Sequence, residues 1–120
     1  MKKTTLIHKS ADMRHEPLPE CHAGKGVLDW TEVLGPDQLK GRRLKFMHYN
    51  IMPPGTSIGE HSHHDDEEYY FVISGQGTMI LDGKRFEVKS GDITAIYPGG
   101  SHGLENNTND DLRFLVICVS

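Results

Sequence analysis

Short segments with β-strand character, separated by turns, account for most of this 120-residue sequence. They are rich in the β-branched and aromatic residues that suit a pleated sheet, and turn-forming stretches such as PPG, SGQG, DG and YPGG lie between them. Only residues 36–43, PDQLKGRR, show a short helical pattern. Many short strands without intervening helices predict an all-β sandwich or barrel of antiparallel strands. The predicted strands are residues 27–33, 44–52, 68–74, 77–82, 84–88, 92–97, 102–106 and 112–119.

The length of the chain predicts a single domain over residues 1–120, because it suffices for one hydrophobic core but not for two. Apolar residues make up 36% of the chain when the 13 glycines are not counted among them. When the glycines are counted, the apolar fraction is ordinary for a globular protein. Residues 1–26 contain two prolines and two glycines in their second half, and we expect an N-terminal strand or arm there.

Charge and hydropathy exclude several classes of function. The net charge is −4 and the lysines and arginines are scattered, so no nucleic-acid partner is expected. No segment is apolar for long enough to span a bilayer, and no apolar stretch follows the N-terminal lysines as in a signal peptide, so we expect no membrane association and a cytoplasmic location. Cys21 and Cys118 are isolated, which predicts two reduced thiols.

Residues 61–68, HSHHDDEE, combine three histidines with four carboxylates directly before a strand. Residues i and i+2 of a strand point to the same face, so His61 and His63 can converge on one ion. After a tight turn, the carboxylate of Glu68 can return beside them, and His102 is a candidate fourth ligand after the YPGGS turn. Two histidines and a carboxylate can hold a divalent ion and leave coordination positions open.

A charged cluster of this kind is also typical of a solvated loop. Glu67 is an alternative ligand to Glu68, but strand alternation favours Glu68, because Tyr70 and Val72 then share its face and line the barrel. The remaining polar residues of the segment are predicted to lie at the rim, solvated or supporting the site from outside; they are His64, Asp65, Asp66 and Glu67.

Two spaced motifs extend this pattern. The first motif, G-x5-H-x-H-x4-E-x6-G, is matched at Gly55, His61, His63, Glu68 and Gly75. The second, G-x5-P-x-G-x2-H-x3-N, is matched at Gly91, Gly99, His102 and Asn106, with Tyr97 in place of its proline. Through these two motifs the sequence resembles the cupin superfamily, in particular its small single-domain members.

This resemblance implies a double-stranded β-helix, the jelly-roll cupin barrel, with residues 44–119 as the barrel that holds both motifs. It also implies a divalent metal inside the barrel, bound by His61, His63, Glu68 and His102. Imidazole and carboxylate ligands suit Fe, Mn, Ni, Zn or Cu, and the lack of thiolate ligands argues against a closed structural zinc site.

Two further residues are candidates for catalysis, His48 and Tyr70. In strand 44–52, His48 and Asn50 share one face with Phe46 and Met52, and the two apolar residues favour an orientation into the pocket. If the opposite face were inside, His48 would be a surface residue. Tyr70 is either a packing residue or a hydroxyl that reaches a substrate.

The expected function is to bind or act on a small oxygen-chelating molecule, of carboxylate or sugar-acid type, at the metal. The alternative is a non-catalytic metal-containing module that binds or senses a small molecule. The sequence leaves open whether the protein is an enzyme, and cupins that resemble it include dioxygenases, decarboxylases, isomerases and lyases.

The expected assembly is a homodimer. Small cupins of this type usually pair through sheet edges or faces, and the segment TTLIHKS, residues 4–10, is predicted to supply a strand that covers an exposed edge.

Overall fold

The computed structural model describes residues 4–41 and 43–120, which form ten β-strands, one short α-helix and two 3₁₀ turns. The strands are β1 (Arg14–Pro19), β2 (Val27–Leu34), β3 (Leu44–Met52), β4 (Ser57–Ser62), β5 (Glu67–Ser74), β6 (Gln76–Leu81), β7 (Lys84–Lys89), β8 (Ile93–Ile96), β9 (Ser101–Glu105) and β10 (Leu112–Val119). Helix α1 spans Pro36–Leu39, and the 3₁₀ turns span Ser10–Asp12 and Cys21–Ala23.

The strands form two antiparallel sheets that pack around one core. One sheet has six strands in the order β1-β2-β3-β10-β5-β8, and the other has four in the order β4-β9-β6-β7. Strands that follow one another in the sequence often lie in different sheets, as β3, β4 and β5 do. The predicted all-β jelly-roll architecture is confirmed.

Strand alternation builds the core. In β10, burial alternates residue by residue, and the side chains that point inward are Leu112, Phe114, Val116 and Cys118. They meet the inward faces of the neighbouring strands and of the opposite sheet. The core cluster consists of Leu28, Met52, Ile58, Tyr70, Val72, Met79, Val88, Leu104, Leu112, Phe114 and Val116.

The eight predicted strands are all present, and their ends differ from the prediction by at most one residue. Two strands of the structure, β1 and β4, were not among those predicted from the sequence pattern. β1 lies in the region predicted as a strand or arm, and it contains Pro17 and Pro19. It pairs only with β2, at the edge of its sheet, where a residue without a backbone N–H is tolerated.

Two local predictions differ in their outcome. The turn predicted at the DG stretch, Asp82-Gly83, is confirmed: it joins β6 and β7 as a hairpin, with both residues at positive φ (48° and 81°), as a type I′ turn requires. The helix predicted for residues 36–43 is shorter, because Lys40 adopts a left-handed conformation with φ of 43° directly after α1. Arg42, within that prediction, lies outside the described residues.

The edge strand predicted at residues 4–10 as part of the homodimer is not formed in the single chain. Residues 4–9 lie in no helix or strand, and β1 begins further along, at Arg14.

None of the helices in the described part of the chain has the length and apolar character needed to cross a membrane.

Asn106, just after β9, connects the loops on either side of it in space through hydrogen bonds. Its fully buried amide donates to the carbonyl oxygens of Met52 and Asp110, both at 2.8 Å. Its Oδ1 accepts from the backbone N–H and the hydroxyl of Thr108, at 3.0 and 2.7 Å. Its backbone carbonyl accepts from the N–H of Gly55, at 2.9 Å. The last residue of one motif is therefore bonded to the first residue of the other.

We expect Asn106→Ala to lower the free energy of unfolding by about 2–4 kcal/mol, because it removes buried hydrogen bonds and leaves carbonyl groups unpaired. Asn107→Ala is the matched control, since Asn107 is exposed and its amide makes one side-chain hydrogen bond, to Glu105. It should change the value by no more than about 0.5 kcal/mol. Urea denaturation of metal-free protein measures both, and equal losses would contradict the structural role of Asn106.

Candidate metal centre

Two histidines from adjacent strands form the floor of the candidate centre. His61 on β4 pairs directly with His102 on β9, so their side chains project from the same face of the four-stranded sheet. Their Nε2 atoms are 3.0 Å apart. His102 is almost completely buried, at 1% exposure, so the pair points inward and not to solvent.

His63 follows the end of β4 and is held by backbone hydrogen bonds to the turn before β9. Its N–H donates to the carbonyl of Gly100 at 3.2 Å, and its carbonyl accepts from the N–H of Gly99 at 2.8 Å. Gly99 has a φ of 98°, a conformation that a residue with a Cβ rarely adopts. The glycine in the second motif therefore positions a histidine of the first.

Glu68 supplies the carboxylate from the opposite sheet. It lies near the start of β5 and is buried, as strand alternation predicted, with Tyr70 and Val72 on the same face. Its Oε1 is 3.1 Å from His102 Nε2 and 3.4 Å from His63 Nε2. One ligand atom from each of the four predicted residues lies within 4.8 Å of all the others. The structure thus brings together His61, His63, Glu68 and His102.

Hydrogen bonds on the outer side of two rings fix which nitrogen faces the centre. Nδ1 of His61 is 2.8 Å from the carbonyl oxygen of Gly59, which can only accept, so Nδ1 carries the proton and Nε2 is bare. Nδ1 of His63 is 2.6 Å from the Asp66 carboxylate, with the same consequence. Nε2 of His63 is buried and has no hydrogen-bond partner in the described structure. Bare, inward-facing nitrogens beside a carboxylate are a donor set that fits a divalent ion.

Asp66 is more than a solvated rim residue. Its side chain is 13% exposed, and its second oxygen accepts from the Lys45 ammonium at 2.7 Å. The hydrogen bonds from Lys45, first, and from His63 hold the pKa of Asp66 well below its usual range, so it is a carboxylate and not an acid. Of the predicted rim residues, His64 and Asp65 are exposed, and Glu67 accepts a hydrogen bond from the Tyr69 hydroxyl.

Burial sets the protonation of the neighbouring groups. It lowers the pKa of His61 to about 4, which keeps this ring in the neutral form that binds metals. Burial also raises the pKa of Cys21 to about 11 and that of Cys118 to about 12, so both thiols keep their protons. The pKa of Tyr70 lies well above its ordinary value, because of burial and the nearby charge of Glu68.

The inward face of β3 is the one that carries Asn50 and Met52, which are buried, and Phe46, which packs against the core. His48 lies on that face, stacked on Phe46 with 4.2 Å between ring centroids and edge-on to Trp30 at 4.8 Å. Oδ1 of Asn50 is buried and has no hydrogen-bond partner among the described residues. In the same sheet, on the far side of β10, Tyr70 of β5 has its ring centroid 4.8 Å from that of His102. Catalytic roles for His48 and Tyr70 remain predictions.

Sequence reasoning missed one residue of the site, His22. Its ring stacks on that of His61, with 3.5 Å between centroids and an angle of 11° between planes. His22 lies in the 3₁₀ turn Cys21–Ala23, which packs against β4. Because this contact joins segments far apart in the chain, neither spacing nor periodicity near His22 indicates it.

Comparisons with known proteins find similar sequences over most of the chain. The oxalate-binding protein of Thermotoga maritima is 29% identical over 116 residues, which cover 97% of this chain and 95% of that protein. An uncharacterized protein of Methanocaldococcus jannaschii is 38% identical over 89 residues, or 74% of this chain and 69% of that protein.

Solved structures show the same fold. The crystal structure of a predicted oxalate decarboxylase from Thermotoga maritima has a TM-score of 0.87 and 28% identity, and the match covers 95% of this chain and 98% of that one. The polyketide cyclase RemF from Streptomyces resistomycificus has a TM-score of 0.76 at 22% identity, over 98% of this chain and 80% of that one, and shows the fold alone. The family model described as the cupin domain matches residues 48–118. The chain therefore belongs to the cupin domain family.

Proposed function

We propose that the protein binds one divalent transition metal, of the group Fe, Mn, Ni, Zn and Cu, through His61, His63, Glu68 and His102. The observation that carries this proposal is the convergence of four ligand atoms within 4.8 Å of one another. The Nε2 atom of His63 supports it: this atom is buried and makes no hydrogen bond among the described residues, although a Glu68 oxygen lies 3.4 Å away, and a buried polar atom without a hydrogen bond is costly unless something binds it. The donor types favour this group of metals without selecting one member.

We further propose that the bound metal holds a small oxygen-chelating acid. The chain is similar over nearly its whole length to an oxalate-binding protein, and this similarity supports a small diacid, such as oxalate, as the ligand. The ion would supply positive charge for the ligand's oxygens. Among the chain's own residues, Val72 and Phe46 would supply an apolar wall. The protonated hydroxyl of Tyr70, whose ring lies 4.8 Å from that of His102, would be a hydrogen-bond donor to the ligand.

Turnover of the ligand would need a general acid or base within reach of it. Tyr70 retains its proton, so its hydroxyl could serve as an acid but not as a base. His48, the other predicted candidate, has a pKa that burial lowers, so its ring could accept a proton.

We also propose a homodimer formed through the outer face of the six-stranded sheet. Phe71, Ile73 and Ile93 on β5 and β8 are exposed there, at 36%, 40% and 59%. The outward positions of the adjoining strands continue this apolar face with Met47, Ile51, Leu115 and Ile117. A two-fold interface brings the same patch of both copies together, and an apolar patch complements itself without charge matching. A second copy therefore suits this face.

The first prediction of this section concerns the metal. Native protein should contain about one ion per chain, and His102→Ala should lose most of it while circular dichroism still shows a folded sheet.

Asp66→Ala should weaken metal affinity by about 10- to 100-fold, because His63 loses the partner that orients its ring. Asp65→Ala, at an exposed position in the same turn, is the matched control. Elemental mass spectrometry and competition with a chelator measure these effects, and full metal content in His102→Ala would refute the four-ligand site.

The second prediction concerns the ligand. Calorimetry should detect oxalate binding to the metal-loaded protein and no binding to His61→Ala, which lacks a metal ligand. His64→Ala is the control, because His64 is exposed in the same segment and should leave binding unchanged. If no small diacid bound, and a large apolar compound bound without metal, chelation would be wrong and a metal-independent binding module would replace it.

The third prediction concerns assembly. Light scattering at micromolar concentration should give the mass of two chains, and Ile93→Lys should give the mass of one, because it places a charge within the apolar face. Phe86→Lys changes a residue of similar exposure, 48%, on the four-stranded sheet and should stay dimeric. A monomeric native protein would exclude the proposed dimer.

A further inference from the structure

His22 occupies an unusual position for an exposed residue, since its ring lies flat against a candidate metal ligand. The centroids of His22 and His61 are 3.5 Å apart and the rings are nearly parallel. The His22 ring therefore contacts one residue of the candidate centre directly.

The backbone around His22 is held in a costly conformation. Glu20, His22 and Ala23 have positive φ angles of 47°, 50° and 62°, and each carries a Cβ. A left-handed conformation of a residue other than glycine costs on the order of 1 kcal/mol or more. Strain of this kind persists only where the surrounding contacts determine the conformation, and it is concentrated at ligand sites and active sites.

Contacts with β4 and the turn before it hold the His22 turn in place. The N–H of Ser57 donates to the carbonyl of Lys25 at 2.9 Å, and the N–H of Lys25 donates to the Ser57 hydroxyl at 2.9 Å. Gly24 and Gly59 let the two segments touch, because a Cβ on Gly24 would collide with the Ser57 carbonyl and one on Gly59 with the His22 carbonyl. The backbone that carries the His22 ring is therefore anchored to the barrel.

The ring nitrogens of His22 are available to a ligand. Nδ1 of His61 and of His63 are engaged by Gly59 and Asp66, whereas the His22 ring makes no hydrogen bond to any residue in the described ranges 4–41 and 43–120. An imidazole has at least one N–H donor in either protonation state. His22 can therefore donate a hydrogen bond to an acceptor near the centre whether or not the ring is charged.

We propose that His22 is a specificity-determining residue that donates a hydrogen bond to an oxygen of the bound acid that does not contact the metal. This inference rests on the proposed function, the chelation of a small acid by the metal. It restricts the ligand to acids that keep a free oxygen when they chelate. In a diacid such as oxalate, two oxygens chelate and two remain free as acceptors. His22 selects for ligands with such free oxygens over chelators of similar size that lack them.

The test compares two chelators on metal-loaded protein by calorimetry. Oxalate has free carboxylate oxygens, whereas acetohydroxamate chelates through two oxygens and presents a methyl group and an N–H instead. In His22→Ala, oxalate affinity should fall about 10-fold, the loss expected for one hydrogen bond to a charged acceptor. Acetohydroxamate affinity should change by less than about 2-fold, and metal content should stay at the native level, because His22 is not among the ligands.

His22→Phe separates hydrogen bonding from ring packing, since phenylalanine can stack on His61 but has no donor. It should lose oxalate affinity as His22→Ala does. His15→Ala is the control, because His15 is an exposed histidine on β1 whose ring bonds to Thr31 and Asp29, away from the centre. It should leave both affinities unchanged.

Each contrary outcome has one meaning. Native affinity for oxalate in His22→Phe would show that packing alone matters and would overturn the proposal, as would equal losses of both chelators in His22→Ala. Unchanged oxalate binding in His22→Ala, with binding to the native protein intact, would refute the role of His22 and leave the proposed function standing. If the metal-loaded native protein bound neither chelator, the proposed function would be wrong and this inference with it.

Discussion

The antiparallel pairing of β4 with β9 is the contact on which the candidate metal centre depends. It places His61 opposite His102, although 41 positions separate them in the chain. Glu68 then approaches from β5, which belongs to the other sheet. The four side chains come together only when the two sheets have packed, so their arrangement depends on the hydrophobic core. In small zinc domains, by contrast, the metal itself drives folding.

Packing alone does not orient the imidazoles, and hydrogen bonds from the outer side of the rings do so. Gly59 fixes the ring of His61 through a backbone carbonyl, and Asp66 fixes that of His63 through a carboxylate that Lys45 also holds. Each contact keeps the proton on the outer nitrogen and directs the bare nitrogen inward. The residues of the charged segment HSHHDDEE therefore have different roles. His61, His63 and Glu68 face the candidate centre, and Asp66 in the turn orients the ring of His63.

Local patterns in the sequence predicted most of the fold and the convergence of the candidate ligands, because those features depend on a few neighbouring residues. Alternation predicted the bounds of β3 and β10, the Asp-Gly pair predicted a turn, and motif spacing predicted the four residues that the structure brings together. β1 was harder to predict, because its two prolines contradict a strand pattern unless the strand is known to lie at an edge. The hydrogen bond from His63 to Asp66 depends on the conformation of a turn, which charge content does not determine.

His22 shows a different limit, because the information that positions it is divided between two distant segments. Gly24 and Gly59 are unremarkable in the sequence, and only their contact in the barrel explains why both lack a side chain. The part of the chain that matches the cupin domain, residues 48–118, holds all four candidate ligands, whereas His22 lies outside it. A metal site that serves many chemistries on one fold obtains its selectivity from residues around the shared ligands. An N-terminal turn that packs its side chain onto one of those ligands can supply such selectivity without altering the ion's own coordination.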